Sequence, residues 1–194
     1  GKNISYATNS LNQVVSSNDG TNTINFVYDL NGNLVFDGKY HKRYNAEKRL
    51  LVDSASPTEV VKYQYDAIGR MVGKTINGVA LHFTYSGLNA IEETDVNDII
   101  RNRTVFNSFL EPVVNEHYEV PYYYHQNHLY SIEMLSDGAG NLTEEYRYNA
   151  YGSQSRFDAS GNPLAGSITD NRYGFTGQVY DSSTAQNNFY FRNY

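Results

Sequence analysis

Residues 62–70 read KYQYDAIGR. Tyr63 and Tyr65 stand at i and i+2, so on a strand their rings share one face while Lys62 and Gln64 take the other. Asp66 suits the first position of a type I turn, because its carboxylate accepts a backbone N–H two residues on. Gly69 falls where such a turn passes through a left-handed residue, as in a hairpin closed by a G1 bulge. Arg70, Met71 and Val72 begin the returning strand. The stretch predicts strand, tight turn, strand.

The pattern recurs. Asp29 and Gly32 sit between FVY and LVF, Asp137 and Gly140 between IEML and LTEEYRY, Asn149 and Gly152 after YRY, and Asp158 and Gly161 close behind. Tyr44 to Leu50 is a worn copy, with Lys48 where glycine is expected. Catalysis needs one special constellation, whereas a scaffold uses one element many times, so repetition favours a scaffold.

Composition agrees. The 194 residues include 19 tyrosines, 9 phenylalanines, 15 glycines and no tryptophan, a mixture suited to half-buried pleated surfaces punctuated by turns. A formal net charge of -6 and a pI near 5.3 argue against a nucleic-acid partner, since phosphates are met by clustered Lys and Arg. The absence of cysteine excludes disulfides and thiolate zinc sites and is compatible with export from a bacterium. No apolar run reaches the roughly 20 residues that span a bilayer. A chain beginning at Gly1 reads as clipped or processed, either by removal of a leader or as an excised piece.

Along the chain, residues 1–115 read as successive hairpins. Asn77-Gly78, flanked by KTI and VALHF, is a strong two-residue hairpin signal. Tyr28, Tyr44, Tyr65 and Tyr85 recur about once per hairpin, which suggests a repeat array. Residues 91–115 look less regular: IEETDVNDIIRNR is acidic and poorly alternating, and predicts a loop or one short helix. Pro112 and Pro121 bracket VVNEHYEV, read as an edge strand. Residues 116–194 resume the aromatic, turn-rich pattern. No long amphipathic helix is predicted.

These residues resemble a known family. YQYDAIGR and FVYDLNGN are similar to the YD repeats of bacterial Rhs proteins, wall-associated proteins and teneurins. YYYHQNHLYS, SDGAGNLTEEYRYNAYG and RYGFTGQVYDSSTAQNNFYFRNY resemble, in order, the Rhs repeat-associated core over residues 116–194. The resemblance implies an antiparallel β-ribbon wound into a hollow shell, which in polymorphic toxins encloses a C-terminal toxin. Two departures stand out. Tyr130 occupies the usual glycine of the HLGS motif, and the Asp-Pro segment associated with self-cleavage is absent, which predicts a chain that does not cut itself.

Other candidates yield to plainer readings. His125 and His128 are i and i+3, on opposite faces of a regular strand, so shared metal binding would require a turn. DLNGN at 29–33 has the first oxygens of a calcium loop, yet Leu34 and Tyr40 replace its sixth-position glycine and twelfth-position glutamate. Glu92, Glu93, Asp95 and Asp98 form an acidic run that reads as a solvated loop, with a weak calcium site as its alternative. Tyr63, Tyr65, Tyr146 and Tyr148 suit carbohydrate stacking as the functional alternative, whereas the scaffold reading packs them across strands.

The sequence thus predicts an all-β, antiparallel hairpin-repeat ribbon, without enzymatic activity or cofactor, from a bacterial extracellular or cell-surface protein. Its expected partners are other YD-repeat or toxin segments of a parent chain, or a second copy through open sheet edges, with glycans in the alternative.

Overall fold

A computed structural model describes residues 3–109, 111–150, 152–184, 186–189 and 192–193. Tyr151 of the NAYG turn, and Ala185, Tyr190, Phe191 and Tyr194 of the last motif, lie outside the described residues.

The strands follow one another closely. They are β1 (Ser5–Thr8), β2 (Val14–Asn18), β3 (Thr23–Asn25), β4 (Val27–Tyr28), β5 (Leu34–Phe36), β6 (His41–Tyr44) and β7 (Leu50–Ser56). Next come β8 (Glu59–Tyr65), β9 (Met71–Ile76), β10 (Val79–Ser86), β11 (Asn89–Thr94), β12 (Ile100–Phe106), β13 (Pro112–His117) and β14 (Val120–Gln126). The last are β15 (Ile132–Ser136), β16 (Leu142–Tyr148), β17 (Gln154–Asp158), β18 (Pro163–Leu164), β19 (Val179–Asp181), β20 (Gln186–Phe189) and β21 (Arg192–Asn193). The fold is all-β, with a large antiparallel sheet of 15 strands, β4 to β18, in which neighbours in sequence are neighbours in space. β1–β3 and β19–β21 form two three-stranded sheets. The only helical element among the described residues is the single 3-10 turn Phe175–Gly177, and no helix is long and apolar enough to cross a membrane.

Two compact units divide the chain: residues 1–63 with 75–78, and residues 64–74 with 79–194. The expected division at 115/116 falls inside β13, within the second unit.

One device builds most hairpins. At Asp66 the backbone N–H donates to the Arg70 carbonyl, the Gly69 N–H donates to the Asp66 carbonyl, and Gly69 has φ 92°. The Asp66 Oδ1 accepts the N–H groups of Ile68 and Arg70. The same side-chain bracket onto residues +2 and +4 stands at Asn9, Asp29, Asn45, Asp95, Asn107, Asn127, Asp137 and Asp158, and its +4 half stands at Asn149. The left-handed position belongs to glycine at 32, 140, 152 and 161, but to Asn12 (φ 58°), Lys48 (φ 62°), Asp98 (φ 60°) and Tyr130 (φ 63°) elsewhere. The Asx side chain is therefore the common part, and glycine is one of several occupants.

A second regularity follows the turn. The returning strand carries a bulge at its second or third residue, as between Tyr85↔Ala90 and Thr84↔Glu92, or Gln126↔Ile132 and His125↔Met134. The extra residue converts strict alternation into a three-residue step. Ala90 and Glu93, Pro112 and Asn115, and Ile132 and Leu135 are consequently buried three residues apart on their strands.

Residues 91–115 differ from expectation. They are regular strands, β11 to β13, joined by the Asx turns at Asp95 and Asn107. Asp98 in the left-handed position and the bulge at Arg101 hide the repeat from a search for glycine and period-2 alternation. β13 is also not an edge: it lies between β12 and β14, with Pro112 as its first residue beside a bulge at Val113.

In the first unit Leu50, Val61 and Tyr63 are buried, and the Lys42 ammonium is enclosed by Asp53 at 2.8 Å and Asp37 at 2.7 Å. The core of the second unit comprises Ile132, Leu135, Tyr146 and Tyr173, with Phe106, Tyr122, Tyr124, Tyr148 and Val179 packed on it. Edge-to-face pairs link Tyr173 to Phe106 and Tyr124, with ring centres 5.7 and 6.2 Å apart. Burying side chains of this size stabilises by about 1.5–3 kcal/mol each.

Candidate functional site

The tyrosine of several Tyr-Asx pairs has a specific task. Tyr28 donates its hydroxyl to the Val14 carbonyl at 3.0 Å, Tyr44 to Leu34 at 3.1 Å and Tyr148 to Ile132 at 2.7 Å. Tyr85, ahead of Ser86, reaches Met71 in the same way at 2.9 Å. Each acceptor is the first residue of an earlier returning strand. Gln126, preceding Asn127, substitutes its amide and reaches Pro112 at 3.0 Å. The side chain ahead of the turn thus clasps the strand that began the preceding hairpin. Burial pushes the Tyr44 hydroxyl up to about 12, with the charges of Asp53, Asp29 and Asp37 adding to it, and raises Tyr85 and Tyr148 as well.

The residues proposed for sugar stacking are therefore placed elsewhere. Tyr63 and Tyr146 are 6% and 3% exposed, leaving no ring face for a pyranose. Tyr65 and Tyr148 are half-buried. His125 meets the Ser136 hydroxyl at 2.9 Å, and His128 lies exposed in the Asn127 turn. The Asp29 carboxylate is occupied by the side chain and backbone of Asn33 and the backbone of Asn31, and these bonds hold it below the usual carboxylate range. The acidic run is dispersed: Glu92 pairs outward with Arg103, Glu93 is buried, Asp95 brackets a turn and Asp98 is its left-handed residue. No group of three His, Cys, Asp or Glu suited to a metal ion exists among the described residues.

A second geometry lies in the second unit, where residues 167–181 form a strap across β9 to β17. Glu144, fully buried on β16, anchors it. One carboxylate oxygen accepts the Ser167 hydroxyl at 2.9 Å and the N–H groups of Ile168 at 2.6 Å and Thr169 at 2.9 Å. The other accepts the Tyr146 hydroxyl, whose ionisation is pushed far up by burial and by that neighbouring charge. The Asn115 amide donates to the Thr169 carbonyl at 2.9 Å. Asp170 receives Arg101 at 3.1 Å and Asn102 at 3.0 Å. Tyr124 donates to Asn171 at 2.8 Å, and Tyr173 to the Ala90 carbonyl at 3.2 Å.

Arg172 inserts beneath the strap, 4.1 Å above the Phe83 ring and 3.6 Å from Glu93. Burial raises Glu93 despite the guanidinium groups of Arg172 and Arg101 beside it. The strap ends at Asp181, which pairs with Lys74 at 2.5 Å, both side chains being 10% exposed. Every inward polar group named here is met by one from the strap, which makes the strap an integral layer over the sheet. The sequence carries no periodic signal for it, because SITDNRYGFTGQVYD has neither alternation nor helical spacing.

No family model matches the chain. It is 29% identical over 187 residues to the tRNA nuclease WapA of Bacillus subtilis (strain 168), covering 94% of this chain and 8% of that protein. The tRNA(Glu)-specific nuclease WapA of Bacillus subtilis subsp. natto and the tRNA3(Ser)-specific nuclease WapA of Bacillus spizizenii are each 28% identical over the same share. These names overturn the expectation of a non-enzymatic chain: the relatives matched over nearly all of its length are named as nucleases. The chain spans only 8% of the length of those relatives.

Among solved structures, the Tc holotoxin pore of Photorhabdus luminescens matches with a TM-score of 0.63 and 13% identity, over 98% of this chain and 11% of that one. The TcdB2-TccC3-Cdc42 crystal structure matches with a TM-score of 0.59 and 15% identity, over 98% and 14%. Both belong to multi-segment toxin assemblies. In its fold, the chain is Rhs-like.

Proposed function

We propose that the chain is a wall-building segment of a longer, exported toxin whose activity is tRNA cleavage. The observation that carries this reading is the strap. Residues 167–181 close one sheet face through the buried Glu144, Asn115 and Lys74, as a wall separating two compartments requires. The tRNA-nuclease relatives supply the activity of the parent, and the toxin-assembly likeness supplies the wall. In this reading the turn residues Asp29, Gly32, Asp66, Gly69, Asp137, Gly140, Asn149, Gly152, Asp158 and Gly161 set the corners of the ribbon. Residues 116–194 act as its closing portion. The partners are further strand segments and the toxin segment of the same parent; a chain without them pairs with a second copy through its sheet edges.

The test is made on the parent protein that contains these residues. It should cleave tRNA, and its toxin segment should resist protease until the strap is released by Glu144→Ala. A parent inert towards tRNA contradicts the activity, and a toxin segment equally protected in both forms contradicts the wall.

A further inference from the structure

The geometry points to a carboxylate-binding site at Arg156, built for an acidic polypeptide segment that runs across the strap-covered face. Arg156 on β17 pairs with Tyr146 of β16, so the two side chains project to the same buried side. Arg156 is 8% exposed. Its guanidinium carbon lies 4.9 Å from the centre of the Tyr180 ring, a contact that supplies attraction to the ring but no acceptor lone pair.

Two of its nitrogens, Nε and Nη2, are buried and have no hydrogen-bond partner among the described residues. These are the two N–H groups that project in parallel from one edge of the guanidinium, the fork that receives both oxygens of a carboxylate. The other inward cations of this unit are already matched: Lys74 by Asp181, Arg101 by Asp170 and Arg172 by Glu93. In two of these pairs the carboxylate arrives on the strap, so the face is built to take acidic groups from a crossing segment. Arg156 departs from that rule. Residues 182–194 contain no aspartate or glutamate.

A second orphan indicates what kind of anion fits. Gln154 stands two residues before Arg156, on the same face of β17, and its Oε1 is buried without a donor among the described residues. A peptide offers both complements, a carboxylate for the fork and a backbone N–H for the amide oxygen. Phosphodiester oxygens offer only acceptors. That the segment belongs to the longer parent rests on the proposed function; the site itself does not.

The experiment uses the 194-residue protein, with N-acetyl-aspartate N-methylamide and inorganic phosphate as probes at equal ionic strength. The Arg156 Nε–H resonance should shift saturably with the aspartate probe, and the melting temperature should rise. Phosphate should do neither. Arg156→Lys, which keeps the charge but loses the fork, should abolish both responses. Arg156→Gln should fold with an unchanged or higher melting temperature, because it removes a buried charge lacking a partner. An absent response, an equal response to phosphate, a response surviving in Arg156→Lys, or a marked loss of stability in Arg156→Gln would each overturn the site. A positive response with no nuclease activity in the parent would leave the site standing and remove the proposed function.

Discussion

The Glu144 carboxylate receives the backbone N–H of Thr169, twenty-five residues further along the chain, at 2.9 Å, with both residues fully buried. The adjacent Ile168 N–H and the Ser167 hydroxyl converge on the same oxygen. A single side chain on β16 therefore fixes the first turn of the strap, and later contacts follow from that placement.

Glu144→Ala takes the acceptor from the buried Thr169 N–H and from the part-buried Ile168 N–H and Ser167 hydroxyl. Each orphaned group costs about 1–3 kcal/mol, so the variant should lose about 3–5 kcal/mol, the range for removing one partner from a buried charged cluster. Urea unfolding measures the loss. Trypsin should also begin to cut after Arg172, which is half-buried while the strap is anchored. A variant within about half a kcal/mol of the original would show that Glu144 does not anchor the strap.

The turns place their energy in the Asx bracket. Asn45→Ala and Asp95→Ala should each cost about 1 kcal/mol by freeing two backbone N–H groups. Lys48→Gly and Asp98→Gly should be neutral or stabilising by up to about 1 kcal/mol, since both residues sit at positive φ. At Gly69, with φ 92°, valine should be far worse than asparagine. Equal tolerance of both at Gly69, or a loss in Lys48→Gly, would contradict the assignment.

Much of this architecture was legible at Asp66. Its carboxylate, the tyrosines ahead of it and the glycine behind it specify a hairpin without outside information, and the repeat extends it to an all-β ribbon. Less legible was what glycine conceals. Lys48, Asp98 and Tyr130 occupy the left-handed position because the Asx bracket holds the loop whichever residue is there. The bulges after the turns break the two-residue period by which strands are recognised, so 91–115 looked irregular. The strap was invisible for a deeper reason. Its residues satisfy long-range partners rather than a local conformational preference, as with Asp170 and Asn102, sixty-eight residues apart.

The tyrosine clasps give a pH dependence with a definite sign. Tyr44 titrates at about 12 in the folded chain, above the value near 10 of an unfolded tyrosine. Its contribution is thus complete below pH ~10 and is lost as pH rises through the folded value. In an absorbance titration at 295 nm, the step missing from Tyr44→Phe should lie near 12; a missing step near 10 would contradict the clasp. Tyr148→Phe, which leaves the Ile132 carbonyl without its hydroxyl, should cost about 1 kcal/mol.

The central claim is that residues 167–181 are an integral layer of the sheet, and amide hydrogen exchange reads it directly. The N–H groups of Ile168 and Thr169 should exchange as slowly as those of Tyr146 on β16, through opening of the whole second unit. In Glu144→Ala they should exchange orders of magnitude faster, with β16 still protected. Fast exchange at both amides in the unaltered protein, on the timescale of an exposed loop, would contradict the account.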